Sequence, residues 1–154
     1  KDFDIKVTGT EFNVMAYADF GRTEASLEKG KIEIYKSLDS SSPKIAELSP
    51  SQKIIYSEQN KNFSVIKSNP KVESSWKRNE FVFEDLPFSE FVKRLERWYN
   101  VEITFTDPEL SSIKYTGQFK NKETIWQVLD IIKLTTNIDY TLNDRKLIIK
   151  RRNK

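Results

Sequence analysis

Apolar residues in this chain recur with a period of two as far as about Val72, whereas after Trp76 two runs with a period of three to four appear among the alternating ones. A strand buries alternate residues and a helix buries every third or fourth, so the change of period divides the chain into two modules of different construction. In the first stretch Ile5/Val7, Phe12/Val14, Ala25/Leu27, Ile32/Ile34, Ile45, Ile54/Tyr56 and Phe63/Val65 alternate with polar neighbours. Gly9, Asp19-Phe20-Gly21, Lys29-Gly30, Ser49-Pro50-Ser51 and Glu58-Gln59-Asn60 fall between these runs, and they are the residue types that turns require. Residues 1–72 therefore read as a small all-β module, solenoid-like or sandwich-like, with the serine-rich Leu38-Asp39-Ser40-Ser41-Ser42-Pro43 as a hairpin loop.

Periodicity is lost over Lys67-Ser68-Asn69-Pro70-Lys71, which places the module boundary between residues 67 and 79 and the second domain at 77–151. There Pro87 suits a first helical turn, and Phe88, Phe91/Val92, Leu95 and Trp98/Tyr99 follow at helical steps up to Asn100, a residue that tolerates a left-handed helix end. Val101/Ile103/Phe105 alternate as a strand, Asp107-Pro108 breaks it, and Ile113/Tyr115/Gly117/Phe119 alternate again. A second helix is expected from about Lys122 to Lys133, capped by Asn121, with Ile125, Val128/Leu129 and Ile132 as its buried stripe. Tyr140/Leu142 and Leu147/Ile149 flank Asn143-Asp144-Arg145 as a hairpin. With the Phe81/Phe83 strand in front, the order is β-α-β-β-α-β-β, an α+β domain that lays two helices on one sheet. The fold class is thus mixed.

The residue inventory narrows the chemistry. Neither Cys nor His occurs among the 154 residues, which excludes a thiol nucleophile, a zinc site of Cys/His type, a Ser-His-Asp triad and a histidine pH switch. Lys and Arg number 26 against 23 Asp and Glu, and the net charge of +3 is spread along the chain, so no nucleic-acid footprint forms. The basic run Lys150-Arg151-Arg152-Asn153-Lys154 reads as a solvated terminus. Glu80, Glu84 and Asp85 are the best carboxylates for acid/base work, but charged residues on a strand's solvent face are ordinary. No enzyme activity, cofactor or metal is expected. No stretch approaches the roughly 20 apolar residues that span a bilayer, and the first residues do not read as a signal peptide. A membrane anchor or export signal is expected to lie outside this sequence.

Val7-Thr8-Gly9-Thr10-Glu11-Phe12-Asn13-Val14, followed by Leu27-Glu28-Lys29-Gly30-Lys31-Ile32-Glu33-Ile34, resembles two signatures of the FecR family of anti-sigma regulators. The family's next turn, L-x-P-G-[EQ], stands here as Leu48-Ser49-Pro50-Ser51-Gln52, with Ser in place of Gly. Trp76, Phe83, Leu95-Glu96-Arg97-Trp98-Tyr99-Asn100-Val101 and Tyr115-Thr116-Gly117-Gln118-Phe119 resemble the attached C-terminal domain, which is related to the secretin and TonB short N-terminal domain. The resemblance implies a periplasmic, signal-receiving region of a single-pass inner-membrane protein. Its partner would be the signalling domain of a TonB-dependent outer-membrane transporter. The sigma factor would be reached only through a cytoplasmic segment, and the membrane only through an N-terminal helix, both absent from this sequence. Residues 1–72 would then be the C-terminal part of the FecR β domain.

For the partner contact, two surfaces follow from the element types. Arg94 and Arg97, with Lys93, form a basic helix face suited to an acidic patch. Leu147-Ile148-Ile149-Lys150, read as an exposed edge strand, would accept a strand from the partner, with Ile148 in contact. Trp126, outside the apolar stripes, is a further contact. Trp76 and Trp126 also suit a carbohydrate-binding module, and the two-helix layout suits a ring-forming scaffold; these are the rival readings.

Overall fold

Alternation in the first half produces strands β1 (Asp4–Val7), β2 (Glu11–Met15), β3 (Arg22–Lys29), β4 (Ile32–Tyr35), β5 (Lys44–Leu48), β6 (Gln52–Ser57) and β7 (Phe63–Lys67) in the computed structural model. The structure describes residues 3–37, 42–120 and 122–152, so Leu38–Ser41 of the expected hairpin loop and the expected cap Asn121 lie outside the described residues. The chain divides into two units, Lys1–Arg78 and Asn79–Lys154. In the first, β1-β4-β5 and β2-β3-β6-β7 form two antiparallel sheets. Ala25, Leu27 and Ile54 from one sheet pack with Ile32, Ile34 and Leu48 from the other, each at most 1% exposed. This is a sandwich, its core made by the inward residues of both sheets.

Strand β3 is buried on its second face as well, where Glu24 and Ser26 are both 5% exposed. The helical turn α1 (Pro70–Glu73) lies against this face, and the 3-10 turn Ser75–Arg78 follows it. Asn69 caps α1 by accepting from Lys71 N. The buried Glu24 carboxylate takes Arg22 Nε at 2.6 Å and Lys53 Nζ at 2.9 Å, and Lys53 also reaches Glu73 of α1 at 3.0 Å. Trp76 Nε1 donates to Asn13 Oδ1 at 3.1 Å, and Lys77 meets Glu28 at 3.4 Å. Three polar contacts thus fasten residues 73–77 to the outer face of the four-stranded sheet.

Two backbone positions in this unit carry sharp turns. Gly30 sits at φ +91, where a Cβ would lie 2.9 Å from both Gly9 O and Thr10 Oγ1. Ser51 takes φ +65 as the third residue of a turn closed by Gln52 N donating to Ser49 O. That conformation is the one in which the family pattern has Gly, and Pro50 before it pre-sets the turn.

The second unit runs β8 (Glu80–Pro87), α2 (Phe88–Tyr99), β9 (Glu102–Phe105), a 3-10 turn (Pro108–Ser112), β10 (Lys114–Lys120), α3 (Ile125–Thr135), β11 (Ile138–Asn143) and β12 (Lys146–Arg151). Pro87 is the N-cap of α2 rather than part of its first turn, and Asn100 ends the helix at φ 52, ψ 52. Thr124, not Asn121, caps α3: Thr124 N donates to Gln127 Oε1 and Gln127 N donates to Thr124 Oγ1, a capping box.

The strands do not form the single sheet expected from their order. β8 pairs antiparallel with β10, while β9 pairs parallel with β12, which pairs antiparallel with β11. Each helix-carrying stretch therefore contributes strands to both sheets. Phe83, Tyr115 and Phe119 of the first sheet share one core with Ile103, Ile138, Leu147 and Ile149 of the second, and the helices supply Phe91, Val92, Leu95, Val128, Leu129 and Ile132 between them. At about 1.5–3 kcal/mol for each large side chain buried, this shared core joins the two sheets without a continuous hydrogen-bonded ladder.

Two measurements check these local readings. Ser51→Gly raises stability in urea unfolding by about 0.5–1 kcal/mol by relieving the left-handed backbone, whereas Gly30→Ala lowers it by at least about 1 kcal/mol. Burial alone pushes the Glu24 carboxyl up, but its bonds to Lys53 and Arg22 outweigh this and hold it below its ordinary value of 4.5. A depressed carboxylate stabilises the fold above its unfolded value and loses that contribution as pH falls through the folded one. Glu24→Gln therefore costs about 1–3 kcal/mol at neutral pH, and its difference from the unmutated protein shrinks as pH drops below 4.5.

Candidate interaction surfaces

The four residues singled out for partner contact do not converge. Arg94 and Arg97 lie on α2; Arg97 is exposed and donates from Nη1 to Lys93 O at 3.2 Å, while Arg94 is half-buried with its Nε shielded from solvent. Arg97 is the better placed of the two to meet a partner directly. Trp126 opens α3, 49% exposed, with its ring centroid 6.1 Å from that of Tyr140 on β11.

Ile148 requires a correction. Its strand, β12, is the central strand of β11-β12-β9 and is paired on both sides, so it cannot accept a further strand. The last strand in sequence lies in the middle because β9 joins it in parallel register, Ile148 standing beside Thr104 and Thr141. The side chain itself stays accessible at 41%, on the sheet face away from buried Leu147 and Ile149. There it borders a shallow hollow with Thr141, Asn143 and Lys146.

The richest exposed surface belongs to α3. Beside Trp126, Ile131 is 41% and Leu134 is 85% exposed. Val128, Leu129 and Ile132 on the opposite side are fully buried, so the exposed side of the helix carries Trp126, Ile131 and Leu134 among the polar Gln127, Asp130 and Thr135. Ile131 and Leu134 fall outside the buried stripe read from the sequence, and this excess of apolar residues over one stripe is the signal that points to them. Polar groups border the surface. Tyr140 Oη donates to Asp130 Oδ1 at 2.7 Å, and burial together with that carboxylate pushes the phenol up to about 12. Lys133 Nζ lies 2.8 Å from Asp139 Oδ1, and with the Tyr140 N–H it holds the Asp139 carboxyl below the usual carboxylate range.

The other sites considered stay simple. Trp76 is 58% exposed and tied to Asn13, and Asp85 pairs with Lys114 at a bulge where Asp85 takes φ +48. Among the described residues no three His, Cys, Asp or Glu side chains group to hold a metal ion, and no helix is long and apolar enough to cross a membrane.

Residues 80–149 match the family model of the FecR C-terminal domain. Over nearly the whole chain the fold is similar to two crystal structures of a candidate anti-sigma factor from Parabacteroides distasonis ATCC 8503. Both are 26% identical, with TM-scores of 0.80 and 0.79, and the match covers 99% of this chain and 69% of that one. No curated protein matches the chain. The C-terminal domain model over the second unit and the likeness to these anti-sigma structures along the chain's length together support a FecR-type anti-sigma regulator.

Proposed function

We propose that this chain is the signal-receiving region of its anti-sigma regulator, working in the periplasm and binding the signalling domain of a TonB-dependent outer-membrane transporter. The single observation that carries the reading is the FecR C-terminal match over residues 80–149, the unit that holds the exposed α3 surface and the basic side of α2. An exposed Trp with neighbouring Leu and Ile supplies the anchor residues that protein interfaces use, while Arg97 and Lys93 on the separate basic side of α2 set encounter rate and partner choice. Transmission then depends on the partner's occupancy of this unit, and the sigma factor is engaged elsewhere in the regulator.

Calorimetric titration against the signalling domain of the transporter encoded nearest its gene, with an unrelated signalling domain as control, tests the proposal. Micromolar or tighter binding to the cognate domain alone is the expected outcome, and absence of binding by the folded chain contradicts it. Charge reversal of Arg94 and Arg97 together weakens that binding by about tenfold, mainly through slower association at low salt. The same variant retains its circular dichroism and its unfolding midpoint to within the loss of one half-buried side chain.

A further inference from the structure

The three-stranded sheet ends at β11, the strand that α3 contacts. Among the described residues nothing pairs with the outer edge of β11, yet α3 beside it keeps Trp126, Ile131 and Leu134 exposed. The ladder shows which backbone groups face that edge. Arg152 N donates to Asn137 O, which makes Asn137 and Arg152 a hydrogen-bonded pair. Such pairs alternate along an antiparallel ladder, so Asp139, Thr141 and Asn143 bond to β12 while Tyr140 and Leu142 direct their N–H and C=O outward. The Tyr140 N–H accordingly donates to Asp139 Oδ1 at 2.9 Å. That same oxygen is held by Lys133 Nζ, reaching from α3 around the edge of β11. A side-chain carboxylate thus fills the place that a neighbouring strand's carbonyl would take, as edge strands commonly require.

We propose that the outer edge of β11 and the exposed face of α3 form a docking site for an extended segment of another protein. The segment enters as a fourth strand, with apolar side chains at alternate positions against Trp126 and Leu134. Main-chain groups of Tyr140 and Leu142 are satisfied by a strand and not by a helix, which fixes the occupant's conformation. A second copy of this chain fits poorly. Symmetric pairing through Tyr140 sets the two Asp130 carboxylates, each bonded to a Tyr140 hydroxyl, against each other. Entry displaces Asp139 from the Tyr140 N–H, so the Lys133–Asp139 pair acts as a guard on the edge. The site does not depend on which protein supplies the segment.

The test selects short random peptides displayed on phage against the intact chain, then follows amide exchange and affinity for the peptides recovered. The expected peptides alternate apolar residues and slow exchange at the Tyr140 and Leu142 amides. They lose about tenfold or more in affinity on Leu134→Glu and on Trp126→Ala, two substitutions at exposed positions that leave circular dichroism unchanged. Asp139→Ala, which uncovers the Tyr140 N–H, binds them more tightly. Failure to recover peptides overturns the proposal, as do peptides that bind Leu134→Glu equally well or protect other amides. So does concentration-dependent protection of the same amides without peptide, the mark of a second copy on this edge.

Discussion

The second unit depends on one side chain more than on any hydrogen-bonded ladder: Phe91 of α2. It is fully buried, and its ring lies 4.6 Å from Phe83, 5.4 Å from Phe88, 4.9 Å from Tyr115 and 6.3 Å from Phe119, centroid to centroid. Three of those rings stand on the two-stranded sheet, Phe83 on β8 and Tyr115 and Phe119 on β10, and Phe88 carries the cluster on to Phe105 of β9, 5.7 Å away, in the other sheet. Edge-to-face and tilted aromatic contacts add about 0.5–1.5 kcal/mol each beyond area burial. Two short sheets that share no backbone bonds are therefore held together through α2, and α3 completes the same core from its own buried stripe.

That arrangement has a functional corollary. A core that closes around helices leaves short sheets, and short sheets leave edges. The edge of β8 and β10 is broken by the bulge at Asp85, whose left-handed backbone and ion pair with Lys114 twist and charge it. Among the described residues the edge of β11 carries the Lys133–Asp139 pair and adjoins α3, which leaves Trp126, Ile131 and Leu134 exposed. On the proposed reading, the surface that receives the signal lies in this unit where α3 meets β11.

Much of this was legible in the sequence because period and turn chemistry are local. The apolar steps Phe88, Phe91/Val92 and Leu95 place α2, and the Asn100 αL end stops it. The L-x-P-S-Q run marks a turn whose third residue takes positive φ even though that residue is Ser. What stayed hidden is set by long-range pairing. No local pattern in Leu147–Lys150 distinguishes an edge strand from a central one; only the parallel partnership with β9, more than forty residues earlier, puts β12 in the middle. The division into two sheets escaped for the same reason. Trp126 falls off its helix's stripe, and Leu134 and Ile131 carry the same mark. The Asp139 guard depends on a side chain reaching around an edge, which no spacing rule encodes.

Hydrogen–deuterium exchange of the whole chain, with and without the cognate transporter's signalling domain, tests the central claim most directly. The account predicts slowed exchange within Asn79–Lys154, centred on α3 and β11. Binding accompanied by protection confined to Lys1–Arg78, or no change anywhere in two folded proteins, would contradict it.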